Sequence, residues 1–584
     1  MRKHNFPPYY SSSLVRSKTP LFAAFDFETV GLGGDLLLAS WAVIDENGSI
    51  SSGLIDGLSD QILAQLLNIM WQYPKHSWYA HNAQYEWRYM MRYFRDCTIK
   101  PEIFMRNKTD IYMIQLRDGK KRLRMLDSMA VWNGSLKTLL DVYASDLPKL
   151  SIDVAHFDTL NPEHRAYAER DSIGLAVAMK NLNQMLKDSY GVDVRVTAAS
   201  TAIAAWESQL GEKYFMNETR EDYIRSAYFG GAVFLTRSDI VEGAVTYDIN
   251  SSYPYQMRKH DVPYGNIYQT FNYHPDKLGI YTVTVDTLKC DFPCLPMRLE
   301  NNSIIWPLGR FQTTITNIEL EFAIQHGYEL LEIHDGVIFE RSINPFVSFV
   351  DKCETIRIGF KGKPQESLAK LIQNSLYGKF GSRRERTIMF VPESNADIVD
   401  AEPWDDEQYY WTRTEHQDLR CMPAWAVFIT ARARLHLFKA AFDVGIDKVI
   451  YGDTDSLTIT SRSDRIDTGD RYGQFKLEKE WKLFRATAPK TYSGILAVTY
   501  KTKRAGTLTG AAKGMPTKAM GNDQWRGLLE GDRISAEYLS LSSLRVSLRT
   551  GELDARLLRR RSSLLENSNG WRQDGTAIRP RLLR

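Results

Sequence analysis

The stretch YGDTDSLTIT (residues 451–460) decides the fold of the second half of the chain, because it sets two carboxylates in a short turn between apolar segments. This pattern predicts a β-hairpin with Asp453 and Asp455 at its turn. The stretch TYDIN (residues 246–250) predicts a second strand that carries Asp248 near its end. Acids from two distant segments can therefore build one site for divalent cations, which prefer oxygen ligands.

Between these segments, SLAKLIQNSLYGKFG (residues 367–381) predicts a helix that is closed by Gly381. Lys370, Asn374 and Tyr377 stand at i, i+4 and i+7 and hence share one face. A cation, an amide and an aromatic ring in one stripe suit a nucleoside triphosphate, with the lysine at the phosphates and the tyrosine against a base. Core packing of Tyr377 is the alternative interpretation of the same periodicity, but the two polar neighbours argue against it.

A second group of acidic residues lies near the start of the chain. Residues 21–28 (LFAAFDFE) predict a buried strand whose alternation points Asp26 and Glu28 to one face. Tyr167 and Asp171 stand four apart on a predicted helix and also share a face. Between the two pairs, HNAQYE (residues 81–86) adds Asn82, Tyr85 and Glu86.

These three segments together favour metal-dependent phosphodiester hydrolysis. That chemistry uses two Mg²⁺ ions roughly 3.5–4 Å apart, one to generate hydroxide and one to stabilise the leaving oxygen. Clustered carboxylates are suitable ligands, and Tyr167 is placed to orient the water. A DxE pair on a strand is by itself more often surface charge, so the inference depends on all three segments.

Length and composition set broad limits. A chain of 584 residues is expected to form two or more domains, and its 43% apolar and 25% charged residues are typical of a soluble protein. The net charge of +3 neither demands nor excludes a polyanionic partner.

The two ends of the chain are rich in basic residues. Residues 545–584 hold ten Arg against four acids, which favours phosphate binding over a solvated helix face. Residues 1–20 are basic and Ser-rich, which favours a disordered leader over an organellar transit peptide.

The first acid group resembles the proofreading 3′→5′ exonuclease domain of family B DNA polymerases, in which the motifs DxE, Nx₂(F/Y)D and Yx₃D occur in this order. Ser135-Leu136 and Lys149 resemble auxiliary motifs of that domain. Glu86 stands where the family usually has Asp, which keeps the carboxylate on a longer stem. The resemblance implies metal ligands at Asp26, Glu28, Glu86 and Asp171, catalytic roles for Tyr167 and Lys149, and substrate binding by Asn82 and Tyr85.

The later segments resemble motifs A (DxxSLYP), B (Kx₃NSxYG) and C (YxDTDS) of the same family, in the expected order. Motif A reads SSYP here rather than SLYP. The resemblance implies that Asp248, Ile249 and Asp455 bind metal, that Asp453 supports the catalytic site, and that Tyr253 lies where a 2′-hydroxyl would clash. Two further elements resemble YxGG and the primer-holding KxY, and they add the substrate-binding positions Tyr228, Gly230, Gly231, Lys490 and Tyr492.

Two long insertions resemble those of the protein-primed branch found in phages and linear plasmids. In that branch the first contacts the terminal protein and the second is a β-hairpin that closes around DNA. The fold class implied is a mixed α/β and α+β multidomain chain, with an RNase H-like exonuclease domain before a palm, fingers and thumb. The predicted boundaries are 1–190 for the exonuclease, 191–258 and 423–525 for the palm, 259–350 and 382–422 for the insertions, 351–381 for the fingers and 526–584 for the thumb.

The implied partners are template and primer DNA, dNTPs and a terminal protein, and no membrane partner is expected. The implied oligomeric state is a monomer or a heterodimer with the priming protein. The implied cofactor is Mg²⁺, two ions per active site, with Mn²⁺ as a substitute. The expected location is the cytoplasm of an infected or plasmid-bearing cell, with an organelle as the alternative. The competing hypotheses are a family B polymerase that uses ordinary primers or none, a stand-alone nuclease and a non-catalytic DNA-binding replication protein; the intact acids argue against the last two.

Overall fold

The computed structural model describes residues 20–583 apart from short gaps at 32–33, 97–100, 108–109, 120, 154–155, 215–218, 288, 291, 383–384, 393–401, 405–408, 416–420, 542–554, 563–570, 575–576 and 581. The predicted leader and much of the arginine-rich end lie outside the described residues. Within them, no helix is long and apolar enough to cross a membrane.

The first part of the chain is a sheet with helices on both faces. Its elements are β1 (Leu21–Thr29), β2 (Leu36–Ile44), β3 (Ile50–Asp56), α1 (Ser59–Gln72), β4 (His76–Ala80), α2 (Gln84–Asp96), β5 (Glu102–Asn107), β6 (Asp110–Asp118), β7 (Lys121–Asp127), α3 (Leu136–Tyr143) and α4 (Pro162–Tyr190). The predicted strand at residues 21–28 and the predicted helix that carries Tyr167 and Asp171 are confirmed. Gly191 caps α4 in the left-handed conformation, with φ 72°.

The alternation of β1 explains how the first acids are presented. Ala23, Phe25 and Phe27 pack into the core on one side of the sheet, whereas Phe22 and Ala24 pack on the other side with residues of α3 and α4. Asp26 and Glu28 continue the second series, so period 2 points both carboxylates toward the α4 face.

The middle of the chain contains, within its described residues, the strand that carries Asp248, a separate four-stranded sheet and six helices. Its elements are α5 (Ala198–Glu207), α6 (Glu221–Ser226), β8 (Val233–Leu235), β9 (Val241–Glu242), β10 (Val245–Ile249), α7 (Ser252–Lys259), β11 (Val262–Thr270), β12 (Gly279–Asp286), β13 (Met297–Arg298), β14 (Ile304–Ile305), β15 (Leu308–Gly309), β16 (Phe311–Thr316), α8 (Asn317–Gln325), β17 (Glu329–Ile343), α9 (Val347–Gly359) and α10 (Pro364–Phe380). Strands β11, β17, β12 and β16 form a separate antiparallel sheet in that order.

The last part of the chain completes the sheet that contains β8 and β10. Its elements are β18 (Glu385–Pro392), β19 (Glu402–Trp404), β20 (Tyr409–Glu415), α11 (Pro423–Val444), β21 (Val449–Asp453), β22 (Ser456–Ile459), β23 (Phe475–Ala488), β24 (Thr491–Leu496), β25 (Leu508–Ala512), α12 (Asn522–Glu530), β26 (Ser535–Leu541), β27 (Ala555–Arg561), β28 (Trp571–Asp574), β29 (Ala577–Pro580) and β30 (Leu582–Leu583). This sheet, which the sequence analysis predicts to be the palm, has the order β25-β24-β23-β10-β22-β21-β8. The strands of both acid motifs are therefore central neighbours.

The strands described within residues 382–422 are antiparallel, as expected for the predicted β-hairpin. Strand β18 pairs with β20, and β19 pairs with the outer edge of β20. The far side of β18 pairs with β5, with Met389 opposite Phe104. The insertion and the exonuclease-like region therefore share one ten-stranded sheet.

Gly381 ends α10 as predicted, but for a different reason. Its φ of −77° is right-handed, so the position does not need a glycine for its backbone conformation. A β-carbon there would instead lie 2.5 Å from the hydroxyl oxygen of Tyr228. The glycine allows the aromatic ring of the YxGG element to approach the end of α10.

Two candidate active sites

The first candidate site is a cavity of about 500 Å³ between β1, α2 and α4. The residues predicted from the three exonuclease motifs all line it, together with the auxiliary motifs: Asp26, Glu28, Asn82, Tyr85, Glu86, Ser135, Leu136, Lys149, Tyr167 and Asp171. The structure thus brings together side chains from positions that are spread between residues 26 and 171.

The carboxylates of this cavity are hard to ionise together. Burial, followed by the charge of Asp171, raises the pKa of Asp26 to about 7. Burial and the neighbouring Asp26 raise the pKa of Glu28 to about 8. Burial also raises the pKa of Glu86 well above its usual range. Such a cluster is stabilised when a cation supplies the missing positive charge.

The oxygen atoms of this cavity fit a divalent cation. Oε2 of Glu86 and Oδ1 of Asp171 are buried without a hydrogen-bond partner, and buried polar atoms seldom lack one. Carboxylate oxygens are the donors that Mg²⁺ and Mn²⁺ prefer. Among the described residues, however, no group of three or more His, Cys, Asp or Glu side chains is arranged to hold a metal ion as the side chains stand.

Lys149 supplies a positive charge inside the cavity. Its ammonium group forms an ion pair with Asp171 and lies 4.8 Å from the centre of the Tyr167 ring. Burial opposes protonation of Lys149, but the charge of Asp171 outweighs it and raises the lysine pKa. Burial and Asp171 raise the pKa of Tyr167 to about 12, so this phenol keeps its proton at neutral pH.

The HNAQYE segment forms one wall of the cavity. Asn82 is exposed and adopts a left-handed backbone with φ 65°, and its main-chain N–H donates to Asp127 at 3.1 Å. The Tyr85 hydroxyl hydrogen-bonds Thr29. Asn82 and Tyr85, the two side chains predicted to bind substrate, therefore both border the cavity.

His81 is a cavity residue that sequence reasoning missed. Its ring nitrogens lie 2.9 Å from the Ser128 hydroxyl and 2.9 Å from the Gly134 carbonyl oxygen. Burial lowers its pKa to about 4, so the imidazole is neutral at neutral pH. The signal that could have found it is its position directly before Asn82.

The second candidate site lies where β10 meets the β21–β22 hairpin. Asp248 is opposite Ser456 on β22, and the main-chain N–H of Ile249 donates to the carbonyl oxygen of Asp455 at 2.8 Å. The predicted hairpin is confirmed, and Thr454 at its turn has a left-handed φ of 62°. The two acid motifs are therefore locked side by side by the sheet.

Asp248 and Asp455 share an environment that opposes ionisation. Burial, followed by Asp455 and Glu478, raises the pKa of Asp248 to about 7. Burial, followed by Asp453, raises the pKa of Asp455 to about 6. As in the first site, added positive charge would stabilise both carboxylates, and their oxygens suit a divalent cation.

Asp453 plays a different structural part. Its carboxylate accepts hydrogen bonds from the hydroxyls of Tyr451 and Thr454, each at 3.0 Å. Nζ of Lys490 donates to it at 2.8 Å. The main-chain N–H of Lys490 also donates to Tyr451 at 3.0 Å, so Asp453 fastens the KxY element to the hairpin turn.

The predicted face of α10 points toward this acid pair. Lys370 and Asn374 are exposed, and the charge of Lys370 acts on the Asp248 carboxyl. Tyr377 is half-buried and stacks on Tyr253, with ring centres 3.9 Å apart and planes at 22°. Helix α10 therefore places Lys370 and Asn374 beside the two acids, and it places the ring of Tyr377 against motif A.

The YxGG element packs onto the hairpin turn. A β-carbon on Gly231 would lie 2.6 Å from the Thr454 side chain, so only glycine permits the contact. Nη1 of Arg434 donates to the carbonyls of Phe229 and Gly230, at 2.6 and 2.9 Å. Tyr492 of the KxY element lies in the same region, with its ring centre 5.7 Å from that of Tyr451.

The family described as DNA polymerase type B, organellar and viral, matches residues 154–464, which is more than half of the chain. The chain belongs to this family. It is a DNA-directed DNA polymerase, and the resemblance to the phage branch of family B is confirmed.

This polymerase is similar to phage enzymes along most of its length. It is 29% identical to the DNA polymerase of Bacillus phage M2 over 65% of this chain and 70% of that one. It is 28% identical to the DNA polymerase of Bacillus phage phi29 over 57% of this chain and 60% of that one. Phi29 DNA polymerase complexed with primer-template DNA and incoming nucleotides has a similar fold, with a TM-score of 0.74, 20% identity, and coverage of 93% of this chain and 100% of that one. The predicted fold class is therefore confirmed.

Three further residues of this polymerase frame the second site and were missed by sequence analysis. Glu478 and Lys479 on β23 act electrostatically on Asp248. Arg434 is buried and forms an ion pair with Glu319 of α8. The alternation of charged and apolar residues in FKLEKEW (residues 475–481) predicts a strand, but it does not show which strand lies beside it. An arginine in a long apolar helix likewise gives no indication of its ion-pair partner.

Proposed function

We propose that this polymerase synthesises DNA at the Asp248 and Asp455 site, edits 3′ ends at the Asp26, Glu28, Glu86 and Asp171 site, and starts synthesis from a terminal protein. The observation that carries the two-site proposal is the pair of separate, buried carboxylate clusters, each with raised pKa values. One cluster lies in a cavity large enough for a nucleotide, and the other lies beside an exposed lysine and amide on α10.

At the editing site, Asp26, Glu28, Glu86 and Asp171 would hold Mg²⁺ or Mn²⁺. Bound there, the ions would supply positive charge to the phosphodiester and lower the barrier to hydrolysis. Tyr167, a neutral phenol held beside Lys149, would orient the attacking water through its hydroxyl. Asn82 and Tyr85 would hold the single-stranded 3′ end at the cavity wall, next to Ser135 and Leu136.

At the synthesis site, Asp248, Ile249 and Asp455 would hold the ions. Lys370 would meet the phosphates, Asn374 would contact the same nucleotide, and the stacked Tyr253 and Tyr377 would form the floor beneath its sugar. Lys490 and Tyr492 would hold the primer, and Tyr228, Gly230 and Gly231 would contact the template-primer near the hairpin turn. Asp453 would fix Lys490 rather than bind metal.

The two insertions support priming by a terminal protein. Helix α8 packs beside the four-stranded sheet of β11, β17, β12 and β16. The buried ion pair between Glu319 of α8 and Arg434 of α11 connects that helix to the synthesis site. A priming protein that contacts residues 259–350 would therefore lie next to the synthesis site. We assign residues 382–422 to the hairpin that closes around DNA, and we retain the exonuclease, palm, fingers and thumb boundaries predicted from the sequence.

Primer choice can be tested with a candidate terminal protein from the same genome, Mg²⁺ or Mn²⁺, a linear template end and one labelled dNTP. The expected result is a deoxynucleotide attached to a Ser, Thr or Tyr hydroxyl of that protein, and loss of this product in Asp248→Ala. Extension of ordinary DNA primers without any protein attachment would favour the conventional-primer hypothesis. The phage relatives support a site of action in the cytoplasm of an infected cell.

A further inference from the structure

Four polar side chains from four separate segments meet beneath the motif A turn. Ser251 lies in that turn with a left-handed φ of 49°. Arg357 comes from α9 and Gln373 from α10. Tyr472 comes from the loop between β22 and β23. Gln373 and Tyr472 are buried, with 0% and 7% of their surface exposed.

The four side chains form a closed ring of hydrogen bonds. Nη1 of Arg357 donates to the hydroxyls of Ser251 and Tyr472, each at 2.8 Å. The Tyr472 hydroxyl donates to Oε1 of Gln373 at 2.8 Å. Nε2 of Gln373 donates to the Ser251 hydroxyl at 3.3 Å. Every one of the four side chains is bonded to two others, although Nε of Arg357 is buried without a partner. The ring therefore favours one arrangement of the four segments.

The Tyr472 loop is itself fastened to motif A by the main chain. The N–H of Asn250 donates to the Gln474 carbonyl at 2.9 Å, and the N–H of Gly473 donates to the Asn250 carbonyl at 2.8 Å. Nδ2 of Asn250 donates to the Gly469 carbonyl at 2.7 Å. The backbone of the loop therefore follows motif A, while the side chain of Tyr472 extends across to α10.

The ring lies at one end of the contact between α10 and motif A. Gln373 directly precedes Asn374, and Ser251 lies two residues before Tyr253. The stack of Tyr253 on Tyr377 forms the other end of that contact. We propose that Tyr472, Arg357 and Gln373 are positioning residues for the incoming nucleotide, because they set the distance between the Lys370–Asn374 face and Asp248.

This inference rests on the proposed nucleotide site. A buried polar ring contributes little net stability compared with apolar packing of the same volume, because desolvation offsets its hydrogen bonds. Its distinctive physical effect is a fixed geometry. The consequence for function is that a broken ring should raise the KM for dNTP. It should also lower Tm, because a buried acceptor is left without its donor.

The test is Tyr472→Phe, which removes one hydroxyl and keeps the ring. The variant leaves Oε1 of Gln373 buried without its donor and deprives Arg357 of one acceptor. We expect the KM for dNTP in primer extension to rise roughly tenfold, as for the loss of one or two buried hydrogen bonds, with kcat changed less than about threefold. Discrimination against ribonucleotides should fall, because Tyr253 loses its fixed position, and degradation of single-stranded DNA should stay at the parental rate.

Tyr328→Phe is the matched control. The Tyr328 hydroxyl is also buried and accepts a hydrogen bond, from the Cys294 N–H at 3.0 Å, but it lies outside the ring. Its loss should lower Tm and leave the KM for dNTP unchanged. A second variant, Gln373→Met, should raise that KM as well, and the double variant with Tyr472→Phe should be no worse than the weaker-binding single variant.

An unchanged KM and unchanged ribonucleotide discrimination in Tyr472→Phe would overturn the inference. Equal rises in KM for Tyr472→Phe and Tyr328→Phe would do the same, as would full additivity of the two ring variants. The proposed synthesis site fails by a separate result, which is primer extension by Asp248→Ala at the parental rate. The two failures are therefore distinguishable.

Discussion

The two acid clusters of this polymerase differ in how positive charge is arranged around them. In the editing cavity, Lys149 is already paired with Asp171 and lines the same cavity as the other carboxyls. At the synthesis site, Lys370 is exposed on α10, and Lys479 and Lys490 reach the site from β23 and the KxY element. The first arrangement suits one phosphodiester, and the second suits a triphosphate with several negative charges.

The difference also concerns access. The editing carboxyls lie in a cavity that is walled by the HNAQYE segment and by Ser135 and Leu136. The synthesis acids lie on β10 and at the neighbouring β21–β22 turn, beside the exposed face of α10. A flexible single strand can enter a cavity, whereas a duplex end requires an open face. The two sites should therefore fail independently when their acids are removed.

The largest effect is expected from Asp248→Ala and from Asp455→Ala. Each removes a carboxylate from the synthesis site alone, so nucleotide incorporation should fall by about a thousandfold or more. Release of nucleotides from single-stranded DNA should remain within about twofold of the parental rate, because the editing carboxylates are untouched. Primer extension and degradation measured side by side check this, and near-parental extension would show that motifs A and C are wrongly assigned.

The converse variant is Asp26→Ala with Glu28→Ala. Degradation of single-stranded DNA should fall by roughly a hundredfold to a thousandfold, while primer extension stays near the parental rate. Asp171→Ala should behave similarly, with the added effect that Lys149 loses its partner. Retention of 3′→5′ degradation in either variant would mean that the cavity is not the editing site.

Removal of residues 385–418 tests the second insertion. Short extension on an open template should survive, because the palm sheet and α10 are intact. Long synthesis through duplex should fall at least about tenfold if this hairpin closes around DNA and raises the effective concentration of the template. Strand displacement at the parental rate would contradict the assignment and favour the conventional-primer hypothesis.

The same deletion has a structural consequence that needs a control. Strand β18 pairs with β5, so its removal leaves β5 as an exposed edge of the sheet. Single-stranded degradation by the deletion variant reports whether the editing region still folds. Parental degradation together with lost strand displacement would locate the defect in the hairpin.

Glu86→Asp should have a smaller effect. Glu86 is buried, and its Oε2 lacks a hydrogen-bond partner, which fits the proposed metal-ligand position. Shortening the stem by one methylene restores the residue that the family usually has, so degradation should stay level or rise by a few fold. Complete loss would show that the metal geometry of this cavity has diverged; Mn²⁺ and Mg²⁺ should be compared in the same assay.

Sequence reasoning recovered those parts of the structure that depend on local patterns. Alternation in residues 21–28 placed Asp26 and Glu28 on one face, and helical spacing did the same for Lys370, Asn374 and Tyr377. The role of each residue stays a prediction, and several came from family resemblance rather than from the pattern. Lys149 is an example, because nothing in its local sequence indicates the ion pair with Asp171.

Long-range partners could not be predicted in this way. Arg434 pairs with Glu319, and Tyr472 reaches Gln373 across a long stretch of chain, so neither contact leaves a periodic signal. The pairing of β18 with β5 joins two regions that the motifs assign to different domains. Gly381 was placed correctly at a helix end, but its contact with Tyr228 is tertiary and invisible in the local sequence.

The smallest expected effect is a dependence of stability on pH and metal in the editing region. Asp26 and Glu28 have pKa values raised to about 7 and about 8 in the folded protein, against about 4 in an unfolded chain. The folded state therefore binds their protons more tightly, and without metal the free energy of unfolding should fall as pH rises from about 4 to about 8. In the proposed function Mg²⁺ would bind the ionised carboxylates of the folded state, so it should raise Tm by a few degrees at pH 8 and by less at pH 5. Scanning calorimetry with EDTA or Mg²⁺ checks both slopes.

Asp26→Asn with Glu28→Gln should flatten both slopes, whereas the exposed Glu329→Gln should not. Equal slopes in the three proteins would show that these carboxyls do not control the pH dependence, because the neutral amides cannot titrate or attract the ion.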